Sequence, residues 1–268
     1  HGDTMTSAVA AIGSSGLLHE KKRWKNDHLE AGLRSGSLFE PFPEEISRRI
    51  CDRFSDILIA VSERSKRNLI REHKRGKIVV VGNTIIDAAL LAFKTAHKKY
   101  VNEEKRKYAI INIHRHENLR SRKRLQKIVE IVSKIGMLAY WPLHDNTQYF
   151  LEKYNLMKEL LKNKNIKIMP LVSYQEFIFM LAHSAQIVAD GGSIQEESLV
   201  FKKPCLILRK KTERQEGLGT GINFLTKLNV HYADSVMKKI GSKDFTIPAF
   251  KNPYGELGVS KQIVDLLQ

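Results

Sequence analysis

Short runs rich in Val, Ile, Leu and Ala recur along the chain, each followed by a helical or glycine-rich stretch: Ile57–Val61, Ile78–Val81, Tyr108–Ile113, Ala139–Leu143, Ile166–Met169, Gln186–Ala189 and Cys205–Leu208. An unbroken apolar run, without the polar alternation of a half-exposed strand, suits a strand covered on both faces. Helices between such strands are the crossovers that a parallel sheet requires. Ser62, an N-cap type, opens the helical stretch Glu63–His73, and Leu125, Ile128, Val129 and Ile135 space the apolar face of another helix. The fold class is α/β.

With about 150 residues to a domain, 268 residues fit one large domain or two smaller ones. The Lys-rich stretch Ala92–Lys107 has little apolar periodicity and marks a boundary. Residues 1–95 are expected to form one Rossmann-like domain, joined by a closing helix within 253–268, and residues 96–252 a second. Two such halves would form a cleft between the C-terminal ends of their strands, where open α/β sheets bind ligands. The first half has few strand-like runs, where a doubly wound half has about five or six. It also opens on His1-Gly2-Asp3-Thr4, a turn whose preceding strand is missing. The expectation is that this domain is partial and that upstream sequence is absent from the chain.

Lys and Arg number 45 against 29 Asp and Glu, a net charge of +16. Such a balance favours anionic ligands. The basic clusters at Lys21–Lys25, Arg120–Lys127 and Arg209–Lys211 lack the interleaved aromatics that stack bases, so nucleic acid is not the expected partner. No apolar run is long enough to span a membrane, and Cys51 and Cys205 are too few for a disulfide framework, so a cytoplasmic setting is expected.

Five polar segments stand where strands hand over to helices. Asp190-Gly191-Gly192-Ser193-Ile194-Gln195-Glu196-Glu197 has the chemistry of a phosphate cradle: glycines let backbone amides approach an anion at a helix start. Glu196 or Glu197 could hold ribose hydroxyls, and a plain turn capped by Ser193 is the alternative. Arg214, in Thr212–Glu216, could offer a guanidinium fork to a diphosphate, or lie on the surface. Asp3, Glu30 and Glu44 are carboxylates beside turns in the first half, able to divide acid and base duties or to serve as caps. His114, in His114-Arg115-His116-Glu117-Asn118, ends a strand of the second half. His114 and His116 have no evident further ligands, so no metal is expected, and no cofactor is implied.

Taken in order, His1–Thr4, His28–Ser35, Pro43–Arg48, Gly82–Asp87, His114–Asn118, Pro142–Asn146, Asp190–Glu197 and Thr212–Glu216, with the closing Asn252-Pro253-Tyr254-Gly255, resemble the signatures of the non-hydrolysing UDP-N-acetylglucosamine 2-epimerase family. The resemblance implies a GT-B-like fold with UDP held mainly by the second domain and the sugar between the two. It implies interconversion of UDP-N-acetylglucosamine and UDP-N-acetylmannosamine by elimination and re-addition of UDP, in a homodimer that supplies surface polysaccharide synthesis. Asp3, Glu30 and Glu44 would then be the acid and base groups, and His114 would assist the departing UDP oxygen. Arg34, Arg115, Gly191, Gly192, Ser193, Glu197 and Arg214 would bind substrate, and His144 would lie near a second, regulatory UDP-sugar site.

The departures fall on binding loops. The family's S-G-G triplet reads Gly191-Gly192-Ser193, and its closing Y-G-D-G reads Tyr254-Gly255-Glu256-Leu257. Gln215 replaces a proline after Arg214, and Lys21–Lys25 forms a basic insert. The family's opening segment has no counterpart here. Two alternatives to the epimerase follow: a hydrolysing relative that releases UDP and free N-acetylmannosamine, and a non-catalytic UDP-sugar-binding remnant.

Overall fold

The computed structural model describes residues 1–16, 24–38, 40–100 and 106–268; Lys21–Arg23 of the basic insert therefore lie outside the described residues. The first elements in chain order are α1 (Met5–Ser14), β1 (Asp27–Ala31), α2 (Glu44–Phe54), β2 (Ile57–Ala60), α3 (Glu63–Arg71), β3 (Lys77–Val80) and α4 (Ile85–Ala96). They are followed by β4 (Tyr108–Asn112), α5 (His116–Leu119), α6 (Arg122–Val132), β5 (Leu138–Pro142), α7 (Asp145–Lys153), α8 (Met157–Leu160), β6 (Ile166–Met169), α9 (Tyr174–His183) and β7 (Gln186–Ala189). The series closes with α10 (Ser193–Val200), β8 (Cys205–Ile207), β9 (Asn223–Leu225), α11 (Val230–Gly241) and α12 (Val259–Leu267).

The chain divides into two compact units. Unit 1 comprises residues 1–87, 211–216 and 251–268, and unit 2 residues 88–210 and 217–250. The division falls at Asp87, earlier than the expected 95, because Ala89 and Ala92 of α4 pack against Ile178 of α9 in unit 2. The segment Lys211–Glu216, expected in the second domain, belongs to unit 1.

Unit 1 has a parallel sheet in the order β1-β2-β3. Strand β2 serves both faces by alternation: Leu58 and Ala60 pack with Leu69 of α3, while Ile59 packs with Val259 and Ile263 of α12. Burying a side chain of this size contributes about 1.5–3 kcal/mol. Strand β1 escapes the sequence reading because His28 and Glu30 interrupt its apolar pattern and its register shifts between Leu29 and Ala31. Asp87 anchors α12 by accepting the Gly258 and Ser260 amides at 2.7 and 2.6 Å. The Asn83 amide donates to the Tyr254 carbonyl at 2.8 Å, so two distant motifs meet in one corner. A Cβ on Gly82 would lie 2.5 Å from that carbonyl, which excludes any larger residue there.

Unit 2 has a six-stranded parallel sheet in the order β6-β5-β4-β7-β8-β9. Numbered within the unit this is 3-2-1-4-5-6, the doubly wound Rossmann order. Ala109, Ile111 and Ile113 face the core shared with α6 and α11, and Tyr108 and Ile110 the core shared with α9 and α10. The chain reverses its direction of travel across the sheet between β4 and β7. Ligands of such sheets sit beyond the strand ends at that reversal. The α/β, GT-B-like fold class expected from the sequence holds.

Candidate functional site

In unit 2 the segments after β4 and β7 carry the expected nucleotide-binding residues, and one carboxylate ties them together. Asp190, fully buried, accepts the backbone amides of His114 and Arg115 at 2.9 and 3.1 Å and the Asn118 side chain at 2.9 Å. Asn118 also donates to the Leu208 carbonyl after β8 at 2.9 Å. The loop positions at the sheet's reversal are thus set by Asp190 and Asn118. Sequence reasoning had both inside motifs and gave neither a role.

Gly191 is buried against the His114 ring; a Cβ there would lie 3.2 Å from His114 Cε1 and 3.3 Å from Ile194 Cγ2. Gly192 caps α10 with no side-chain hydrogen bond, and Ser193 is its exposed first residue rather than its cap. The cap position of α10 thus supplies no side-chain acceptor of its own. Glu197, one turn further on, is buried and accepts from the Tyr174 hydroxyl at 3.0 Å. Burial pushes its carboxyl up to about 7, with the tyrosine bond opposing.

Burial holds the His114 imidazole below the ordinary histidine value; Asp190 opposes this, and His144 and Arg115 add to it. Its Nδ1 is buried without a hydrogen bond and lies 3.8 Å from Asp190 Oδ1. The His144 ring packs beside it, centroids 4.9 Å apart. The Arg115 guanidinium is joined to Glu117 at 2.8 Å.

In unit 1, Asp3 and Glu30, two of the three carboxylates expected to do acid and base work, stand within a chain of alternating charge. Asp3 is hydrogen-bonded by Arg48, whose Nη1 also meets Glu45 at 3.1 Å and whose Nη2 lies 3.7 Å from Glu213. Glu213 is bonded to Arg214, and Arg214 Nη2 reaches Glu30 at 3.3 Å. Asn83 donates to the same Glu30 oxygen at 2.8 Å. Arg48, Glu45 and Glu213 are each at most 2% exposed. Such buried charges are tolerable only in mutual contact. Glu30 has φ +67, a conformation that costs a non-glycine residue free energy and concentrates at functional positions. Glu44 is half-buried at the first residue of α2, and its carboxylate is not among these pairs.

Two arginines have partners other than those the resemblance implies. Arg34 bonds Glu72 through Nε and Nη2 at 2.8 and 2.7 Å, Asp52 at 2.7 Å and its neighbour's carbonyl, Leu33 O, at 2.8 Å. Arg34 is thus held in a buried clamp. Arg214 lies in unit 1 beside Glu213 and Glu30, not in the unit that carries the Gly191–Ser193 turn. Arg48, Glu213 and Asn83 are contributors that sequence reasoning left without roles, although each lies inside a quoted motif. Among the described residues no group of three or more His, Cys, Asp or Glu could hold a metal ion.

A doubly wound sheet whose reversal loops are locked together beside a glycine-led helix start is the framework of a nucleotide-binding α/β protein. The chain belongs to the UDP-N-acetylglucosamine 2-epimerase family, whose model matches residues 1–268. It is 35% identical to the UDP-N-acetylglucosamine 2-epimerase of Methanocaldococcus jannaschii over 99% of its own length and 73% of the relative's. The crystal structure of that archaeal enzyme in complex with UDP-GlcNAc and UDP superposes with a TM-score of 0.86, covering 99% of this chain and 74% of that one. The Neisseria meningitidis UDP-GlcNAc 2-epimerase bound to UDP-GlcNAc, 29% identical, gives 0.85 over 100% and 74% of the two chains.

Proposed function

We propose that the chain is a UDP-N-acetylglucosamine 2-epimerase that interconverts UDP-N-acetylglucosamine and UDP-N-acetylmannosamine. The observation that carries this reading is the charge chain Asp3–Arg48–Glu213–Arg214–Glu30, which holds two carboxylates at fixed positions inside one unit. The reaction needs a base to take the C2 proton while the C1–O bond breaks, its electrons leaving on the diphosphate oxygen. A C1=C2 double bond forms, giving 2-acetamidoglucal. UDP oxygen then adds back at C1 as an acid delivers a proton to the opposite face of C2.

Asp3, Glu30 and Glu44 are assigned the proton transfers, Arg48 the orientation of Asp3, and Arg214 with Asn83 the orientation of Glu30. Fixed geometry is worth several orders of magnitude in rate, so arginines that lock carboxylates matter as much as the carboxylates. In unit 2, the α10 start and Gly191–Ser193 are assigned the diphosphate, and Glu197 the ribose. The His114 Nδ1, buried and without a hydrogen bond, is assigned the departing oxygen. His144, against the His114 ring, is assigned the regulatory nucleotide-sugar. The proposal also includes work as a cytoplasmic homodimer supplying activated mannosamine for surface polysaccharide.

Incubation with UDP-N-acetylglucosamine and resolution of products by NMR tests the reading. UDP-N-acetylmannosamine without free sugar is the expected result. Free N-acetylmannosamine with stoichiometric UDP would instead mark the hydrolysing reaction.

A further inference from the structure

The first residue of the His28–Ser35 motif has no part in the reaction proposed above, yet both of its ring nitrogens are committed. His28 is 3% exposed; its Nδ1 lies 2.8 Å from Asp52 Oδ1 and its Nε2 2.9 Å from the Gly2 carbonyl oxygen. A carbonyl oxygen only accepts, and an ionised carboxylate only accepts. A neutral imidazole has one hydrogen and would leave one of these oxygens facing a bare lone pair. The pairing is complete only when both nitrogens carry hydrogens.

The surroundings supply what a buried cation needs. Asp52, fully buried, also receives Arg34 at 2.7 Å and the Gly32 amide at 3.3 Å. Burial alone would raise the Asp52 carboxyl, but the His28 bond and the Arg34 charge outweigh it and hold the group below the usual range. Ionisable groups close by in sequence or contact, among the described residues, include Asp27 and Glu30 on β1, Cys51 beside Asp52 on α2, Glu72 on the far side of Arg34, and Asp3 after Gly2.

Gly2 is gripped from two sides by β1. Its amide donates to the Leu29 carbonyl at 3.2 Å while its carbonyl receives His28. It adopts φ +73, and a Cβ would lie 3.3 Å from Glu30 Oε2. The clamp therefore sets the peptide that leads into Asp3, in register with Glu30.

We propose that His28 is an imidazolium paired with Asp52, and that it is a positioning residue for Asp3, fixing the Gly2 carbonyl so that Asp3 and Glu30 keep their spacing. The positioning role rests on the epimerase reading; the charge state does not. The experiment is ring 15N NMR on the histidine-labelled chain near neutral pH, with His28 assigned through its backbone. Both His28 nitrogens should resonate as protonated, and Asp52→Asn should convert one to the bare form. A bare nitrogen in the unmodified chain would overturn the proposal, and this result is independent of activity and of how any variant folds.

The positioning role is read in His28→Gln, with circular dichroism as the folding control. The Asp3 amide resonance should move while those of unit 2 stay. In the presence of UDP-N-acetylglucosamine, kcat should fall roughly 10- to 100-fold with KM changed less than about twofold, as for a reacting group displaced by a fraction of an ångström. An unmoved Asp3 resonance, or unchanged kcat, would overturn the role. An unmodified chain without turnover would count against the epimerase reading, leaving the two resonance tests to decide this one.

Discussion

The buried guanidinium of Arg48 holds the carboxylate of Asp3, and its Nη2 lies 3.7 Å from Glu213. One side chain from α2 therefore connects the turn at the start of the chain to the Thr212–Glu216 segment within unit 1. Truncating it leaves Glu45 and Glu213 buried without that cation. Arg48→Ala should destabilise the fold by roughly 3–5 kcal/mol, the cost of breaking a buried pair from one side. Arg48→Lys keeps the charge but loses the fork, and it should fold while losing turnover. Denaturant titration and initial rates separate the two effects.

Glu44, at the first residue of α2, is the third carboxylate assigned to proton transfer. Glu44→Gln should lower turnover by about 10²-fold or more and leave UDP affinity nearly unchanged. Calorimetric titration with UDP beside a rate assay checks both halves.

Gly191 and His114 are in contact, so the smallest addition to the glycine acts on the histidine. Gly191→Ala would bring its Cβ to 3.2 Å from His114 Cε1. Overpacking of this kind costs about 1–3 kcal/mol when the neighbour cannot yield. Here the half-exposed ring yields instead. The expected outcome is a small fall in melting temperature and a weakening of UDP binding of about tenfold, read by thermal unfolding and by calorimetric titration.

Glu72 and Glu197 should contribute pH dependence of opposite sign. In unit 1, burial works against the Glu72 charge but Arg34 outweighs it, and the carboxyl is held down to about 2 from 4.5. A depressed acid contributes stability above the higher value and loses it as pH falls toward the lower. In unit 2, burial raises Glu197 from 4.5 to about 7. A raised acid contributes its stability below the lower value and loses it as pH rises toward the higher. For the buried Glu197 the swing is of the order of 3 kcal/mol, and for the partly exposed Glu72 solvent screening makes it smaller. Melting curves should therefore show a shallower acid limb in Glu72→Gln, with Asp52 and Asp87 still contributing to it, and flatten between about pH 4.5 and 7 in Glu197→Gln.

The sheets were legible because parallel strands are buried on both faces and leave unbroken Val/Ile runs, as at Ile57–Ala60 and Gln186–Ala189. Strand β1 was not, because it has His28 and Glu30 in place of apolar residues and its register shifts between Leu29 and Ala31. The cap at Ser62 was readable from its residue type, and its hydroxyl does accept the Ser65 amide. At Gly192–Ser193 the same reasoning fails, since the cap position is a glycine and the serine lies one residue inside the helix. Residue type suggested an anion-binding fork at Arg214, and the resemblance a substrate contact at Arg34. The fold adds carboxylate partners to each, Asp52 and Glu72 for Arg34, Glu213 and Glu30 for Arg214. Pairs such as Arg34–Glu72 and Arg214–Glu30 emerge only once the fold has brought distant segments together.

The central claim is that the unit 1 carboxylates exchange the proton at C2 of a bound UDP-N-acetylhexosamine. Incubating the chain with UDP-N-acetylglucosamine in deuterated water, and following the C2 proton by NMR, tests it most directly. The predicted result is deuterium at C2 in both the substrate pool and the UDP-N-acetylmannosamine formed, with exchange suppressed in Glu44→Gln. UDP binding with the C2 proton fully retained and no new sugar nucleotide would contradict it.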